Sequence, residues 1–262
     1  MVLFPNAKIN IGLNIVSKRH DGYHNLETLF YPVQWRDVLE VIPSQQFKFS
    51  YSGIEINSSQ NICEQAFYLM KNEFNLSNVH IHLHKNIPIG AGLGGGSSDA
   101  AFTLMALNEM FDLNLTKIKL KEYALNLGAD CPFFIDNRPS IATGVGEILS
   151  PVELDLSGYH LLIVKPSVFV STSDAFSNIV PQQSEISIIE EIKKPISQWN
   201  LSNDFEYGIF DKYPEISNIK KQLDEAGALF SSMSGSGSSV FAFFDYKPNL
   251  QLNEHTWHYQ LI

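Results

Sequence analysis

Cysteine is scarce in this chain: Cys63 and Cys131 are the only two, too few for a disulfide framework. Neither lies in the Cys-x-x-Cys or Cys/His spacing of a metal centre, so both read as reduced packing residues. Basic residues are in deficit, 18 Lys and Arg against 28 Asp and Glu, for a formal net charge of -10. That balance repels nucleic-acid phosphates, and no Lys/Arg stripe interleaved with aromatics offsets it, so nucleic acid is not an expected partner. A small anion stays possible, because backbone amides and one or two lysines bind phosphate whatever the global charge. No segment approaches the roughly 20 consecutive apolar residues of a membrane span, and no membrane partner is expected. The start, Met1 to Lys8, lacks a basic stretch followed by a long apolar run, so cytoplasmic residence is the expectation.

What is present suits a packed enzyme-sized chain. Its 262 residues, 44% hydrophobic, make one large domain or two of ordinary size. Residues 7 to 16 alternate, with Ala7, Ile9, Ile11, Leu13 and Ile15 on one face and Lys8, Asn10, Gly12 and Asn14 on the other. This predicts a half-buried strand whose polar face is wet. His20-Asp-Gly22 turns the chain, and Leu29 to Val33 and Asp37 to Val41 read as further strands of one antiparallel sheet. Asn61 and Glu64 stand as a capping box before a helix running to about Phe74. Val79, Ile81 and Leu83 then alternate with His80, His82 and His84; without an acidic or Cys companion, the histidines read as a solvated strand face rather than a metal site. Helices follow over Ala100 to Met110, apolar nearly all round, and over about Thr116 to Leu127. Beyond Pro151 come a strand His160 to Lys165, a weak helix near Glu185 to Lys193, a helix Glu215 to Ala226, and an apolar strand pair from Leu229 to Phe244 broken by a small-residue loop.

The chemistry is concentrated in Gly90 to Asp99. Glycines before a helix bring several backbone N–H groups to one point beside a helix terminus of roughly +0.5 charge, a setting for phosphate. Gly90, Gly92 and Gly95 match Gly-x-Gly-x-x-Gly, a pattern that alone leaves a plain tight turn equally open. The dinucleotide-binding context fails, since Asp112 follows one unbroken helix instead of a second parallel strand. A Walker A loop fails too, because Gly95-Gly-Ser97 carries no lysine.

Over its whole length, Pro88-Ile-Gly-Ala-Gly-Leu-Gly-Gly-Gly-Ser-Ser-Asp-Ala-Ala101 resembles the central motif of the GHMP kinases, Pro-x-Gly-x-Gly-Leu-Gly-Ser/Gly-Ser-Ser-Asp/Asn-Ala. Pro5-Asn-Ala-Lys-Ile-Asn-Ile-Gly-Leu13 resembles that family's first motif, with an extra Asn6, and Ser234-Gly-Ser-Gly-Ser-Ser-Val-Phe241 its third. Arg19-His-Asp-Gly-Tyr-His-Asn-Leu-Glu-Thr-Leu-Phe30 and Leu127-Gly-Ala-Asp-Cys-Pro-Phe-Phe134 are similar to segments of the diphosphocytidyl-methylerythritol kinase branch. Gly144-Val-Gly-Glu147 and Ser202-Asn-Asp-Phe205 extend that likeness.

The resemblance implies an α+β fold of two domains: residues 1–155, the ATP-binding half, like the second domain of ribosomal protein S5, and residues 156–262, a ferredoxin-like split βαβ. It implies ATP as phosphoryl donor, Mg²⁺ carried with it, no metal ligand set of the protein's own, a cytidine-diphosphate sugar alcohol as acceptor, and a monomer or homodimer. Lys8 and Asp130 are implied as the catalytic pair. Asn61, Lys85, Pro88, Gly90, Ala91, Gly92, Leu93, Gly94, Gly95, Gly96, Ser97 and Ser98 are implied at ATP. Asn10, Tyr23, His24, Phe30, Thr172 and Phe176 are implied at the acceptor, with Tyr23 and Phe176 stacking the cytosine and His24 bonding its edge. Taken singly these residues have plainer readings: Asn61 a helix cap, Lys8 and Asn10 a wet strand face, Tyr23 and His24 a turn. Two other readings are a GHMP kinase acting on homoserine or mevalonate, and a non-catalytic sensor on the same fold; retention of both Lys8 and Asp130 speaks against the sensor.

Overall fold

The computed structural model describes residues 1–56, 61–177, 179–182, 184–250 and 256–262. The chain opens with β1 (Val2–Leu3) and two long strands, β2 (Asn6–Lys18) and β3 (His24–Arg36). These strands thread two compact units, one of Met1–Lys8, Pro32–Ile89 and Gly94–Arg138, the other of Ile9–Tyr31, Gly90–Leu93 and Pro139–Ile262. The units therefore interleave along the chain.

In the first unit β4 (Val38–Pro43), β5 (Lys48–Gly53), α1 (Ile62–Phe74) and β6 (Val79–Lys85) follow, then α2 (Gly95–Met110), α3 (Lys117–Leu125) and α4 (Phe133–Asp136). The sheet runs β1-β4-β6-β5. β4 and β6 are antiparallel, whereas β5 and β6 are parallel and so need a crossover, which α1 supplies. The expected capping box is formed: the Asn61 side chain accepts from Cys63 N at 2.8 Å and Glu64 accepts from Asn61 N at 2.8 Å. α2 buries Ala100, Ala101, Leu104, Ala106 and Leu107 against α1, α3, α4 and β4, which explains why its sequence shows no polar stripe. The β6 histidines bond across to β5, His80 Nε2 and His82 Nδ1 lying 2.7 and 2.9 Å from the Ser50 hydroxyl. His82 Nε2 and His84 Nδ1 lie 3.0 and 2.9 Å from that of Ser52.

The second unit holds β7 (Ser140–Thr143), β8 (Ile148–Pro151), β9 (His160–Lys165), α5 (Thr172–Phe176), α6 (Ile188–Glu191), α7 (Phe205–Lys212), α8 (Pro214–Glu225), β10 (Phe230–Met233), β11 (Val240–Phe244) and β12 (Thr256–Leu261). An antiparallel sheet runs β10-β11-β9-β12. Leu162, Val164, Val240, Ala242 and Phe244 from it pack with Ile216, Ile219 and Leu223 of α8 and with Phe205 and Ile209 of α7 in one buried cluster. A further sheet runs β2-β3-β7-β8.

Three expectations change. β2 is buried on both faces: Lys8, Asn10 and Asn14 are 3%, 2% and 7% exposed, so its polar side is not wet. Around Gly12 that side is covered by Ile188 and Leu201, and at Asn10 it is bonded to Thr28 and Ser234. The strands at Leu29 and Asp37 fall in different sheets, because β3 pairs with β7 while β4 pairs with β1 and β6. The helix near Glu185 shrinks to α6, capped by Ser187 and ended where Glu191 turns its carboxylate to Asn200 N at 2.8 Å. No helix among the described residues is long and apolar enough to cross a membrane.

Candidate active site

Residues 90 to 95 take the shape that their composition permits. Gly90, Gly92 and Gly94 have φ of 62°, 76° and 66°, a region open to glycine and costly for residues with a Cβ. Gly94 is the N-cap of α2 and has no side chain to cap it, and the first turn carries no acid. The leading amides of a 16-residue helix are thus presented at a positive dipole end with no local anion to occupy them. The floor of this turn is specific. A Cβ on Gly94 would lie 3.1 Å from Lys8 Cε and from Phe134 Cζ, and one on Gly95 would lie 2.9 Å from Ile87 Cγ2 and 3.0 Å from Lys85 Nζ, whereas one on Gly96 would meet nothing within 4 Å. The turn sits on its supports and opens outward at Gly96.

In the other unit, Gly90 to Leu93 are held by the small-residue loop after β10. Ser234 Oγ donates to Gly92 O at 2.9 Å and Ser239 N to Ala91 O at 3.2 Å. A side chain at Gly92 would run into the Ser234 carbonyl oxygen at 1.9 Å. Asn203 in turn donates to the carbonyls of Met233 and Gly235, each at 2.8 Å. Pro88 is half-buried where the chain enters the loop.

Lys8 and Asp130 are brought together, Nζ to Oδ2 at 3.4 Å, with side chains 4% and 33% exposed. The lysine is enclosed beside Gly94 while the carboxylate reaches solvent. Cys131, next in sequence, is buried beside Ser97, and burial pushes its thiol up to about 12, so it is no nucleophile at neutral pH. Lys85 does not project into the loop. It lies beneath the loop, bonded to Asp37 and, at 2.7 Å, to Asp99 Oδ2. Asn61 Oδ1 is engaged as the cap of α1.

Among the acceptor candidates, His24 and Phe176 stack with centroids 4.8 Å apart and planes 19° apart, and Phe205 meets Phe176 edge-on at 4.8 Å. Tyr23 stands beside them in sequence, 65% exposed, and Thr172 is exposed at the first turn of α5. Phe30 is 2% exposed within β3, and Asn10 Nδ2 donates to Thr28 Oγ1 at 3.0 Å.

Comparison with known proteins agrees in kind. The model of the GHMP kinases N terminal domain matches residues 61–138 and that of the GHMP kinases C terminal matches residues 188–253. A 4-diphosphocytidyl-2-C-methyl-D-erythritol kinase of Bacteroides fragilis is 54% identical over 93% of this chain and 92% of its own length. The chain belongs to the GHMP kinases. A solved 4-(cytidine 5'-diphospho)-2C-methyl-D-erythritol kinase shares its fold at a TM-score of 0.80 with 32% identity, covering 92% of this chain and 89% of its own. Methanococcus jannaschii mevalonate kinase, at 12% identity and a TM-score of 0.70 over 100% and 98% of the two chains, has the same fold.

As a GHMP kinase the chain takes its phosphoryl group from ATP. The one carboxylate of the loop, Asp99, is 2% exposed and turned to Lys85. Residues to which pattern reading gave no site role are Asp37, Asp99, Asn203 and Ser234, all buried polar groups bonded across long sequence separations. Asp99, Asn203 and Ser234 stand in the quoted motifs and Asp37 opens an expected strand, but a buried polar side chain has no periodic signature of its own.

Proposed function

We propose that this chain transfers the γ-phosphoryl group of ATP to the 2-hydroxyl of 4-(cytidine 5'-diphospho)-2-C-methyl-D-erythritol in non-mevalonate isoprenoid synthesis. The observation that carries the reading is 54% identity over nearly the full length to a kinase of that name, together with a buried lysine paired with a half-open aspartate at the foot of the glycine turn. Phosphoryl transfer asks for alignment and charge stabilisation more than for covalent chemistry. In this reading the amides from Gly92 to Ser98 hold the β- and γ-phosphates, and Gly90 to Leu93 give the loop its shape. Asn61 lies towards the nucleotide, and Lys85 supports the turn from beneath. Mg²⁺ arrives on the triphosphate and is held mainly by its oxygens.

Lys8 donates to the acceptor hydroxyl and draws off charge as its oxygen attacks. Asp130 orients Lys8 and receives the hydroxyl proton late in the transfer. Tyr23, His24 and Phe176 meet the cytosine, with Thr172, Asn10 and Phe30 around the remainder of the acceptor. Because His24 already stacks on Phe176, the base is expected to extend this pair rather than enter between its rings. A cytoplasmic monomer or homodimer, divided near residue 155, completes the proposal.

The test is ADP release with the purified protein, ATP-Mg²⁺ and each acceptor in turn. Turnover with the cytidyl acceptor and none with mevalonate or homoserine is expected. The reverse preference would replace the acceptor, and no turnover with any of them would favour a sensor.

A further inference from the structure

Beneath the phosphate-binding turn, three ionisable side chains are closed off from water. Lys85, at the end of β6, is 4% exposed, Asp37, between β3 and β4, 0%, and Asp99, about one turn into α2, 2%. Both carboxyl groups direct Oδ2 to the one ammonium nitrogen, and they also contact each other. Asp37 is the better satisfied, its Oδ1 accepting from Asn86 N at 2.6 Å and Ile87 N at 2.8 Å. Asp99 Oδ1 is buried with no partner. Two carboxylates against one ammonium would leave a net negative charge in a dry interior, an expensive arrangement that proteins relieve by binding a proton.

We propose that Asp37, Lys85 and Asp99 form a charge-neutral anchor in which Asp99 keeps its proton and shares it with Asp37, so that no negative charge faces the triphosphate from within α2. The choice of Asp99 follows from the bonding. Asp37 accepts from two backbone amides besides the ammonium, whereas the ammonium is the one donor bonded to the Asp99 carboxyl. Burial pushes Asp99 up to about 8, with Asp37 adding to the rise and Lys85 opposing it. Burial also works against the Lys85 charge, but Asp99 and Asp37 overcome it and hold the ammonium above its ordinary range. Among the described residues Cys63 of α1 also faces the cluster, its thiol raised by burial and then by Asp99, so it stays neutral as well.

Asp37, Lys85 and Asp99 are thus positioning residues. They touch no reacting atom; they fix the seat of Gly95, where an added Cβ would lie 3.0 Å from Lys85 Nζ, and they set the local charge. The consequence is specific. As pH rises past neutrality Asp99 loses its proton, a negative charge appears about a turn from the phosphates, and ATP binding weakens.

This inference rests on the turn being the ATP site, and the experiment separates its failure from that of the proposed reaction. Calorimetric titration with ATP-Mg²⁺ at pH 7 and pH 9 is compared for wild type and Asp99→Asn, whose amide can donate to Asp37 and accept from Lys85 as the protonated acid does. Wild type is expected to lose about fivefold or more in affinity across this range, because a unit negative charge within α2 repels the triphosphate. Asp99→Asn is expected to match wild type within about twofold at pH 7 and to stay flat. Equal weakening in both proteins, or a variant that already binds ATP tenfold worse at pH 7, would overturn the proposal. Infrared difference spectra of wild type provide a check that needs neither the variant nor turnover. A carboxylic-acid carbonyl band at pH 7 that disappears at pH 9 supports the protonated Asp99, and its absence at pH 7 refutes it. ATP affinity and the infrared band are both read without any acceptor, so an inactive protein toward the cytidyl compound leaves this test standing.

Discussion

Lys8 and Asp130 meet at 3.4 Å with opposite exposures, the lysine 4% and the aspartate 33% open. The carboxylate holds the enclosed lysine in place while its own open side stays accessible to a substrate hydroxyl. Asp130→Asn keeps the shape and removes the charge. Its single-turnover phosphoryl transfer is expected to fall about 100-fold or more, on the order of a lost general base, with the melting temperature nearly unchanged. A wild-type rate would reduce Asp130 to a turn residue. Lys8→Ala is expected to lose a similar factor, and the double variant little more if the pair works as a unit.

The glycines of the turn separate support from ligand approach. Gly94 has φ of 66° and its Cβ would press on Lys8 and Phe134, so Gly94→Val is expected to cost about 1 to 3 kcal/mol of stability and to raise the KM for ATP. Gly96 lies in the first turn of α2 over open space. Gly96→Ala is expected to hold or raise the melting temperature, by about 0.5 to 1 kcal/mol of helix propensity, and still to weaken ATP binding. Unchanged ATP affinity in Gly96→Ala would take the phosphates away from this turn.

His24 and Phe176 should act on one ligand. Stacked aromatic pairs contribute about 0.5 to 1.5 kcal/mol beyond their area, so His24→Ala is expected to raise the KM for the cytidyl acceptor roughly tenfold by loss of the stack and of its edge bond. The KM for ATP should stay within about twofold. Equal losses for both substrates would place the pair elsewhere.

Stability should carry the mark of Asp99. Its carboxyl ordinarily titrates at 3.8 and is pushed up to about 8 in the folded chain, burial being the largest cause. Between these values the folded state holds a proton that the unfolded state has released. Stability therefore falls as pH rises from about 4 to about 8 and levels off above that window. Denaturant midpoints at pH 5, 6, 7 and 8 are expected to decline in wild type, with a shallower slope in Asp99→Asn. Parallel slopes would show that Asp99 titrates alike folded and unfolded.

Much of the fold and the loop was legible before any coordinates. Alternation from Ala7 to Ile15 and from Val79 to Leu83 marked two strands, the Asn61 and Glu64 pair marked the start of α1, and Pro88 to Ala101 marked a glycine turn leading into α2. These are local signals: period, capping chemistry and the backbone freedom of glycine act within a few residues. The helix near Glu185 was overextended, since the chain leaves α6 where Glu191 turns its carboxylate to the Asn200 amide.

What only the tertiary structure decided is which polar groups are buried and with whom. Alternation in β2 told which side is apolar but not that Ile188, Leu201 and Ser234 cover the other side at Gly12 and Asn10, so Asn10 looked wet. Lys85 finds Asp37 48 residues earlier and Asp99 14 later, and Asn203 reaches Gly235 across 32 residues. Such pairs leave no periodic trace, because burying a polar side chain depends on a partner delivered from elsewhere in the chain and not on its neighbours in sequence. The sequence by itself determined the elements and the glycine turn; the fold decided that Lys85 is closed off from water between two acids, Asp37 and Asp99.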